Sequence, residues 1–177
     1  QKGRDTIKQE IDGATTIAIP LTKGKTVIVD IDDQDLAAIK WFTLSGYAAR
    51  HEDSCENRVT ILMHRIICGR IIGRPLFATE DVDHIDRNPL NNRRNNLRPA
   101  SRSNNLSNKK RLANNTSGYK GVSFHKKKWY AKIGKDYKKI HLGCYDTPEQ
   151  AARAYDRAAL ALHSEFAYLN FPNDWKE

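Results

Sequence analysis

Two alternating runs, Trp129-Tyr130-Ala131-Lys132-Ile133 and Lys138-Lys139-Ile140-His141-Leu142, lead into Thr147-Pro148-Glu149-Gln150. Each run sends successive side chains to opposite faces, which is the period of a strand. Gly134-Lys135-Asp136-Tyr137 between them is a turn, and Tyr119–Phe124 reads as a third strand ahead of them. Thr147 is an N-cap, Pro148 fills the first helical position, and Gln150 closes a capping box. From there Ala151, Ala152, Tyr155, Ala158, Ala159 and Leu162 recur at helical spacing, and so small a stripe lets a helix lie close against a sheet. The stretch predicts a three-stranded antiparallel sheet packed on one helix over 119–172, with Trp129, Tyr155 and Phe171 in the core. The opposite face then presents Tyr130, Lys132, Lys139 and His141. A basic, aromatic-bearing sheet face can enter a DNA major groove. Cys144 is expected in the core or a turn.

Working back toward the N-terminus, residues 111–118 read as a polar linker. Ahead of it lies the segment 60–110, in which residues 83–110 are rich in asparagine (Asn88, Asn91, Asn92, Asn95, Asn96, Asn104, Asn105, Asn108), with Ile85, Leu90, Leu97 and Leu106 spaced through them. Asparagine favours loops and left-handed turns. Leu97-Arg98-Pro99-Ala100 is extended, since the residue before proline avoids the helical region, and Ser101 can cap a helix from Arg102 to Lys110. The order is strand, long loop, strand, helix. Residues 1–59 predict a separate β-rich module. It holds a leader over 1–14, a hairpin at Thr16–Pro20 and Thr26–Val29, a short helix after Asp32, and a second hairpin around Ser45-Gly46. Arg58–Met63 then leads into a short helix closed at Gly69. The predicted class is α+β.

The 177 residues carry a net charge of +9, graded along the chain: residues 1–60 are net −2 and residues 109–171 net +8. A basic excess concentrated in one segment points to a polyanion, with double-stranded DNA first. No apolar run approaches the ~18–20 residues of a membrane span, so no membrane partner is expected. Cys55, Cys68 and Cys144 include no CxxC pair, which argues against a disulfide framework or zinc ribbon and fits a reducing compartment.

The chemistry-bearing residues sit in the asparagine-rich segment. Asp83-His84 ends the first strand, Asn96 follows twelve residues after His84, and Asn105 nine further on lies one turn into the helix. A carboxylate and an amide oxygen suit Mg²⁺, with Mn²⁺ as the alternative, because such ions keep waters and take phosphate oxygens. His84 beside them is a candidate general base for an attacking water. Asn96 is expected to tie the loop together and orient His84. Arg93, Arg94, Arg98 and Arg102 are candidate phosphate contacts. His64 is read as a structural group at a helix start, with a phosphate contact or support of the site as the alternative.

Asp83-His84-Ile85-Asp86, Asn95-Asn96-Leu97-Arg98 and Ser103-Asn104-Asn105 resemble the ββα-metal motif of HNH endonucleases. The nearest variety is the H-N-N type of phage and intron-encoded homing enzymes, with Met63-His64-Arg65-Ile66-Ile67 resembling its lead-in. Residues 114–172 resemble the plant ethylene-response-factor (Apetala-2) DNA-binding domain through Tyr119-Lys120-Gly121-Val122, Trp129-Tyr130-Ala131-Lys132-Ile133, Leu142-Gly143-Cys144-Tyr145-Asp146-Thr147 and Leu169-Asn170-Phe171-Pro172. That resemblance places DNA contacts on Lys120, Ser123, Lys132, Lys139 and His141. Ser123 stands where those proteins usually have arginine and His141 where they have tryptophan, so their target sequence does not carry over. Together the resemblances imply a metal-dependent, site-specific DNA endonuclease, monomeric on DNA and nicking one strand. They also imply a phage- or bacterium-encoded protein of the cytoplasm. The alternative is a DNA-binding transcriptional regulator with an idle nuclease motif.

Overall fold

Residues 7–11, predicted within the leader, form a strand. In the computed structural model, which describes residues 6–53, 58–111 and 115–175, β1 (Ile7–Ile11), β2 (Ala14–Pro20) and β3 (Thr26–Asp30) pair antiparallel in that order. Asp12 and Gly13 join the first two strands with φ of 51° and 73°, the left-handed pair that a two-residue hairpin needs. The register sets Ile17 opposite Val29 and Ile19 opposite Val27. All four are buried. A short 3₁₀ segment, Ile31–Ala38, follows. Next come β4 (Phe42–Leu44), β5 (Tyr47–Asp53) and β6 (Arg58–Leu62), a second meander. Cys55 lies outside the described residues. Helix α1 (Met63–Ile72) stops at Gly73, whose φ is 73°. The strands β7 (Asp81–His84) and β8 (Leu97–Ala100) pair as a two-stranded ribbon.

The chain divides after Ala100 into two compact units, and not at the predicted 59/60 and 110/111 boundaries. The reason is the core. Val27, Val29, Trp41, Ile67, Val82 and Leu97 belong to one buried cluster. A ribbon of two four-residue strands has too little surface to bury a core alone, so it shares that of the β-rich module and α1.

In the second unit, Ser101 caps α2 (Arg102–Asn108), its hydroxyl accepting from the Asn104 amide at 3.2 Å. The strands β9 (Val122–His125), β10 (Lys128–Lys135) and β11 (Lys138–Tyr145) form the predicted antiparallel sheet, with β10 central. Ala131 and Ile133 are buried under α3 (Pro148–His163), whose Ala151, Ala152 and Ala159 are fully enclosed. The capping box of Thr147 and Gln150 is present. Tyr155 is buried, while Trp129 and Phe171 are half-buried against this core. Residues 115–118 are a tied turn: Ser117 donates to the Val122 carbonyl at 2.9 Å, and Asn115 to that of Tyr119 at 2.9 Å.

Two details join α2 to this unit. The Ser107 hydroxyl meets His163 Nδ1 at 3.1 Å. Lys120 Nζ donates to the carbonyls of Ser107 (2.5 Å) and Lys109 (2.6 Å). A cation on the last carbonyls is a favourable helix end.

Gly121 is required here. Its φ is +75°, and a Cβ would lie 2.1 Å from the Tyr155 ring and 2.6 Å from the Lys132 carbonyl oxygen. We expect Gly121→Ala to destabilise the second unit by about 3 kcal/mol or more, combining backbone strain with overpacking. A urea melt at an unchanged midpoint would contradict this. Among the described residues, no helix is long and apolar enough to cross a membrane.

Candidate functional site

His84 is the last residue of β7, pairing with Leu97. It is 6% exposed, and its Nε2 lies 2.9 Å from Asn92 Oδ1. With the amide turned this way, the contact is satisfied by a ring that carries its proton on Nε2. Asn92 was not singled out by the sequence, since nothing distinguishes it among its neighbouring asparagines. It is fully buried, and its backbone N–H donates to the Ile28 carbonyl on β3 at 2.8 Å. Burial lowers the pKa of His84 against the opposing pull of the Asn92 bond.

Two further rings crowd His84. His64 of α1 stands edge-on at 5.2 Å between centroids, and Tyr47 of β5 touches both, at 4.9 Å from His64 and 5.9 Å from His84. His64 is thus buried beside the candidate base. Its Nδ1 is enclosed without a hydrogen-bond partner among the described residues. Burial first, then the charges of His84 and Arg65, push its pKa down to about 3. A histidine that must stay neutral when folded favours unfolding once the unfolded ring, with its pKa near 6.5, takes a proton. Stability is therefore full above pH 6.5 and is lost as pH falls toward 3. We expect His64 to cost the first unit about 2 kcal/mol between pH 7 and pH 5. Urea melts at the two pH values, with His64→Phe as comparison, check this; an equal slope in the variant would contradict it.

Asp83 is 2% exposed. Its Oδ2 accepts from Arg98 Nε at 2.9 Å and lies 2.8 Å from Nη2. The predicted metal ligands fall in different units, Asp83 at the end of β7 and Asn105 on α2. Among the described residues, no three His, Cys, Asp or Glu side chains gather as a metal cluster. The predicted set contains one carboxylate and one amide oxygen. Both are hard donors, and a set this small suits an ion that keeps waters and takes phosphate oxygens. In this structure the Asp83 carboxylate is engaged by Arg98, so an ion bound there would share it with that guanidinium.

The loop between β7 and β8 is closed by Asp86 and Asn96. The Asn96 amide oxygen accepts from the Asp86 N–H at 2.9 Å. Its Nδ2 donates to Asp86 Oδ1 at 2.9 Å and to the Asn91 carbonyl at 2.7 Å. Asn96 therefore ties the loop as expected, while the bond on His84 Nε2 comes from Asn92.

Three expected phosphate contacts are otherwise engaged. Arg93 is 5% exposed and reaches Asp12, Asp30 and the Ile11 carbonyl. Arg94 pairs with the fully buried Asp33 at 2.8 Å, and its backbone N–H donates to Asp30 at 2.6 Å. Arg98 sits on Asp83. Asp12, Asp30 and Asp33 are three of the ten acidic residues of 1–60. That charge neutralises arginines of the loop, a use invisible to a segment count. Arg102 is exposed at the start of α2.

The second unit carries the basic sheet face. Lys132 pairs with His141, Tyr130 with both Ser123 and Cys144, and Gly134 with Lys139, so these side chains share one face. Tyr130 lies 5.5 Å from the His141 ring and 6.0 Å from His125. Ser123, Lys132, Lys139 and His141 are exposed and Tyr130 half-buried.

Two expectations are corrected. Lys120 is off this face, spent on the carbonyls at the end of α2. Cys144 is on it, exposed, with Sγ 3.9 Å from His141 Nε2. The register slips between Ala131 and Lys132. The extra residue on β11 reverses the alternation beyond His141 and turns Cys144 outward.

Residues 117–165 match the AP2 domain family, and residues 62–107 match the HNH endonuclease family. Among curated proteins, the chain is 46% identical over 69 residues to an ethylene-responsive transcription factor of Arabidopsis thaliana, covering 37% of this chain and 35% of that protein. A second such factor from Arabidopsis thaliana is 51% identical over 59 residues, 31% of this chain and 32% of that one. An APETALA2-like protein of Oryza sativa subsp. japonica is 44% identical over 63 residues, 34% of this chain and 14% of that one. The chain thus spans about a third or less of these relatives' lengths.

Proposed function

We propose that the chain grips double-stranded DNA with the exposed β9–β11 face and hydrolyses a phosphodiester bond beside Asp83 and His84. The observation that carries the hydrolytic half is the buried His84, its Nε2–H tied to Asn92, directly after the Arg98-paired Asp83, within the stretch that matches HNH endonucleases. The AP2 match and the DNA-binding regulators it resembles support the grip.

In this reading Asp83 and, on the sequence match alone, Asn105 hold a divalent ion, Mg²⁺ or Mn²⁺. When bound, it supplies Lewis-acid stabilisation of charge on the phosphate. With the Nε2 proton committed to Asn92, Nδ1 of His84 carries the lone pair and takes the proton of the attacking water. Burial holds the ring neutral at neutral pH, the form a base requires. Asn96 and Asp86 keep the loop closed. Lys132, Lys139, His141, Tyr130 and Ser123 hold DNA, with Arg102 as a further phosphate contact. Acting alone, one such site cuts one strand, so the finer reading is a monomeric, site-specific nicking enzyme of the homing kind.

A second reading is favoured by the relatives themselves, which are named as transcription factors: a DNA-binding regulator whose nuclease motif is idle. Incubating bound supercoiled plasmid with Mg²⁺, Mn²⁺ or EDTA separates the two. Our reading expects open circles with metal and none with EDTA. Plasmid that is bound but stays supercoiled in both metals supports the regulator.

A further inference from the structure

The turn that joins β10 to β11 is Asp136-Tyr137, and both residues are left-handed, with φ of 47° and 63°. Two-residue hairpins of this kind favour Asn-Gly or Asp-Gly, because glycine brings no Cβ to clash at the second position. A tyrosine there is strained. It is also 85% exposed, so it buries too little surface to offset that strain. The strands beside the turn add a second cost. Lys135 stands directly opposite Lys138, and like charges facing each other across a strand pair repel. Neither feature helps the hairpin to fold. Further along the same register Ile133 pairs with Ile140, and Ile133 packs under α3. Lys135 and Lys138 therefore lie on the helix side of the sheet, opposite Lys132, Lys139 and His141. On that side a cavity of about 260 Å³ opens between the turn, α2 and α3. Leu106, Tyr155 and Tyr137 wall it, and Ser103, Lys135 and Lys138 supply polar groups. Asp136 is the one carboxylate among the described lining residues. Its backbone N–H donates to Ser103 Oγ at 3.2 Å, which leaves the serine proton for a ligand oxygen. Apolar walls with a few converging polar groups are the mark of a small-molecule site. The volume falls short of the roughly 300–1,000 Å³ of drug-sized sites, so it admits one base or one sugar-phosphate and no duplex.

We infer that the β10–β11 turn holds an unpaired nucleotide, its base stacked on the Tyr137 ring and its phosphate between the Lys135 and Lys138 ammonium groups. An exposed aromatic ring takes an uncovered base face, and a duplex keeps those faces stacked on one another. The two ammonium groups that the register brings together repel until an anion lies between them. The same chemistry is offered by a free mononucleotide and by an unpaired nucleotide within a strand. The site stands apart from the duplex grip, on the other side of the sheet, and does not depend on the hydrolytic reading.

The test uses the full chain in EDTA, saturated with unlabelled duplex so that the grip face is filled. Two probes are added: a fluorescein-labelled single strand of eight deoxyadenosines, read by anisotropy, and dAMP, read by calorimetry. We expect the octamer to bind with the duplex in place. Binding of dAMP as well identifies a free nucleotide as a sufficient ligand, and binding of the octamer alone identifies a strand. Tyr137→Gly should weaken octamer binding about tenfold, the loss of one stacked base. Its urea midpoint should stay or rise, because glycine relaxes the turn, so the lost affinity is not a lost fold. Tyr137→Phe keeps the ring and should keep most of the affinity. Lys135→Ser with Lys138→Ser should weaken the octamer about tenfold and make its salt dependence shallower by about 0.7, one phosphate on a single strand. Duplex affinity should stay within about twofold in every variant. The inference is overturned if neither probe binds, if duplex displaces the octamer, or if Tyr137→Gly binds the octamer as the wild type does. It also fails if the lysine pair weakens duplex as much as octamer, since the turn is then a duplex phosphate contact. Should Tyr137→Gly not fold, the lysine pair decides alone.

Discussion

Asp83→Asn should lower single-turnover cleavage of bound DNA at least about a thousandfold, roughly 4 kcal/mol of transition-state stabilisation, and leave DNA affinity almost unchanged. Asparagine is chosen over alanine for a structural reason. Asp83 is 2% exposed and pairs with Arg98, itself mostly enclosed. Removing the side chain would break a buried ion pair, which costs about 3–5 kcal/mol, and a lost activity would then report a lost fold. An amide keeps an oxygen toward Arg98 while removing the negative charge that a hard cation needs. Affinity survives because the grip on DNA is assigned to another surface. Cleavage by Asp83→Asn at the wild-type rate, measured with enzyme in excess, would sink the assignment of Asp83.

The second large effect is expected on the sheet. Lys132→Glu with Lys139→Glu should weaken DNA binding about a hundredfold near 0.1 M salt. It should also make the dependence of log K on log salt shallower by about two, since each lysine on a phosphate releases close to one counterion. These lysines lie on one exposed face, opposite His141 and Gly134. Lys120→Ala is the contrast. Its ammonium is engaged with the Ser107 and Lys109 carbonyls, so its loss should lower the stability of the second unit and leave the salt slope as it is. If Lys120→Ala flattens the salt dependence and the double glutamate variant does not, the two faces have been exchanged.

That contrast shows where the sequence was legible. Thr147-Pro148-Glu149-Gln150 announces a helix through local chemistry alone, and the capping box is present as read. Period-two alternation gives the buried Ala131 and Ile133 for the same reason. It fails for Cys144, because one bulge resets the alternation and no residue type marks it. The position of Lys120 depended on α2 packing in the second unit, which strand parity does not contain. Arg93 and Arg94 look like phosphate contacts in a basic segment. Their partners Asp12, Asp30 and Asp33 lie more than sixty positions away in sequence, and charge counting cannot pair residues across such a separation. The Asp83–His84 pair was legible because it is contiguous. Asn92 was not, because its place under His84 is set by a backbone bond to β3.

The central claim is that His84 takes a proton during cutting. Its most direct measurement is the single-turnover conversion of supercoiled plasmid to open circles in Mg²⁺ by wild type and His84→Ala, at protein concentrations shown to bind all the DNA. Loss of a general base predicts a rate lower by about 10²–10⁴, with binding intact and EDTA abolishing cleavage in both. Equal rates for the two proteins would contradict the account.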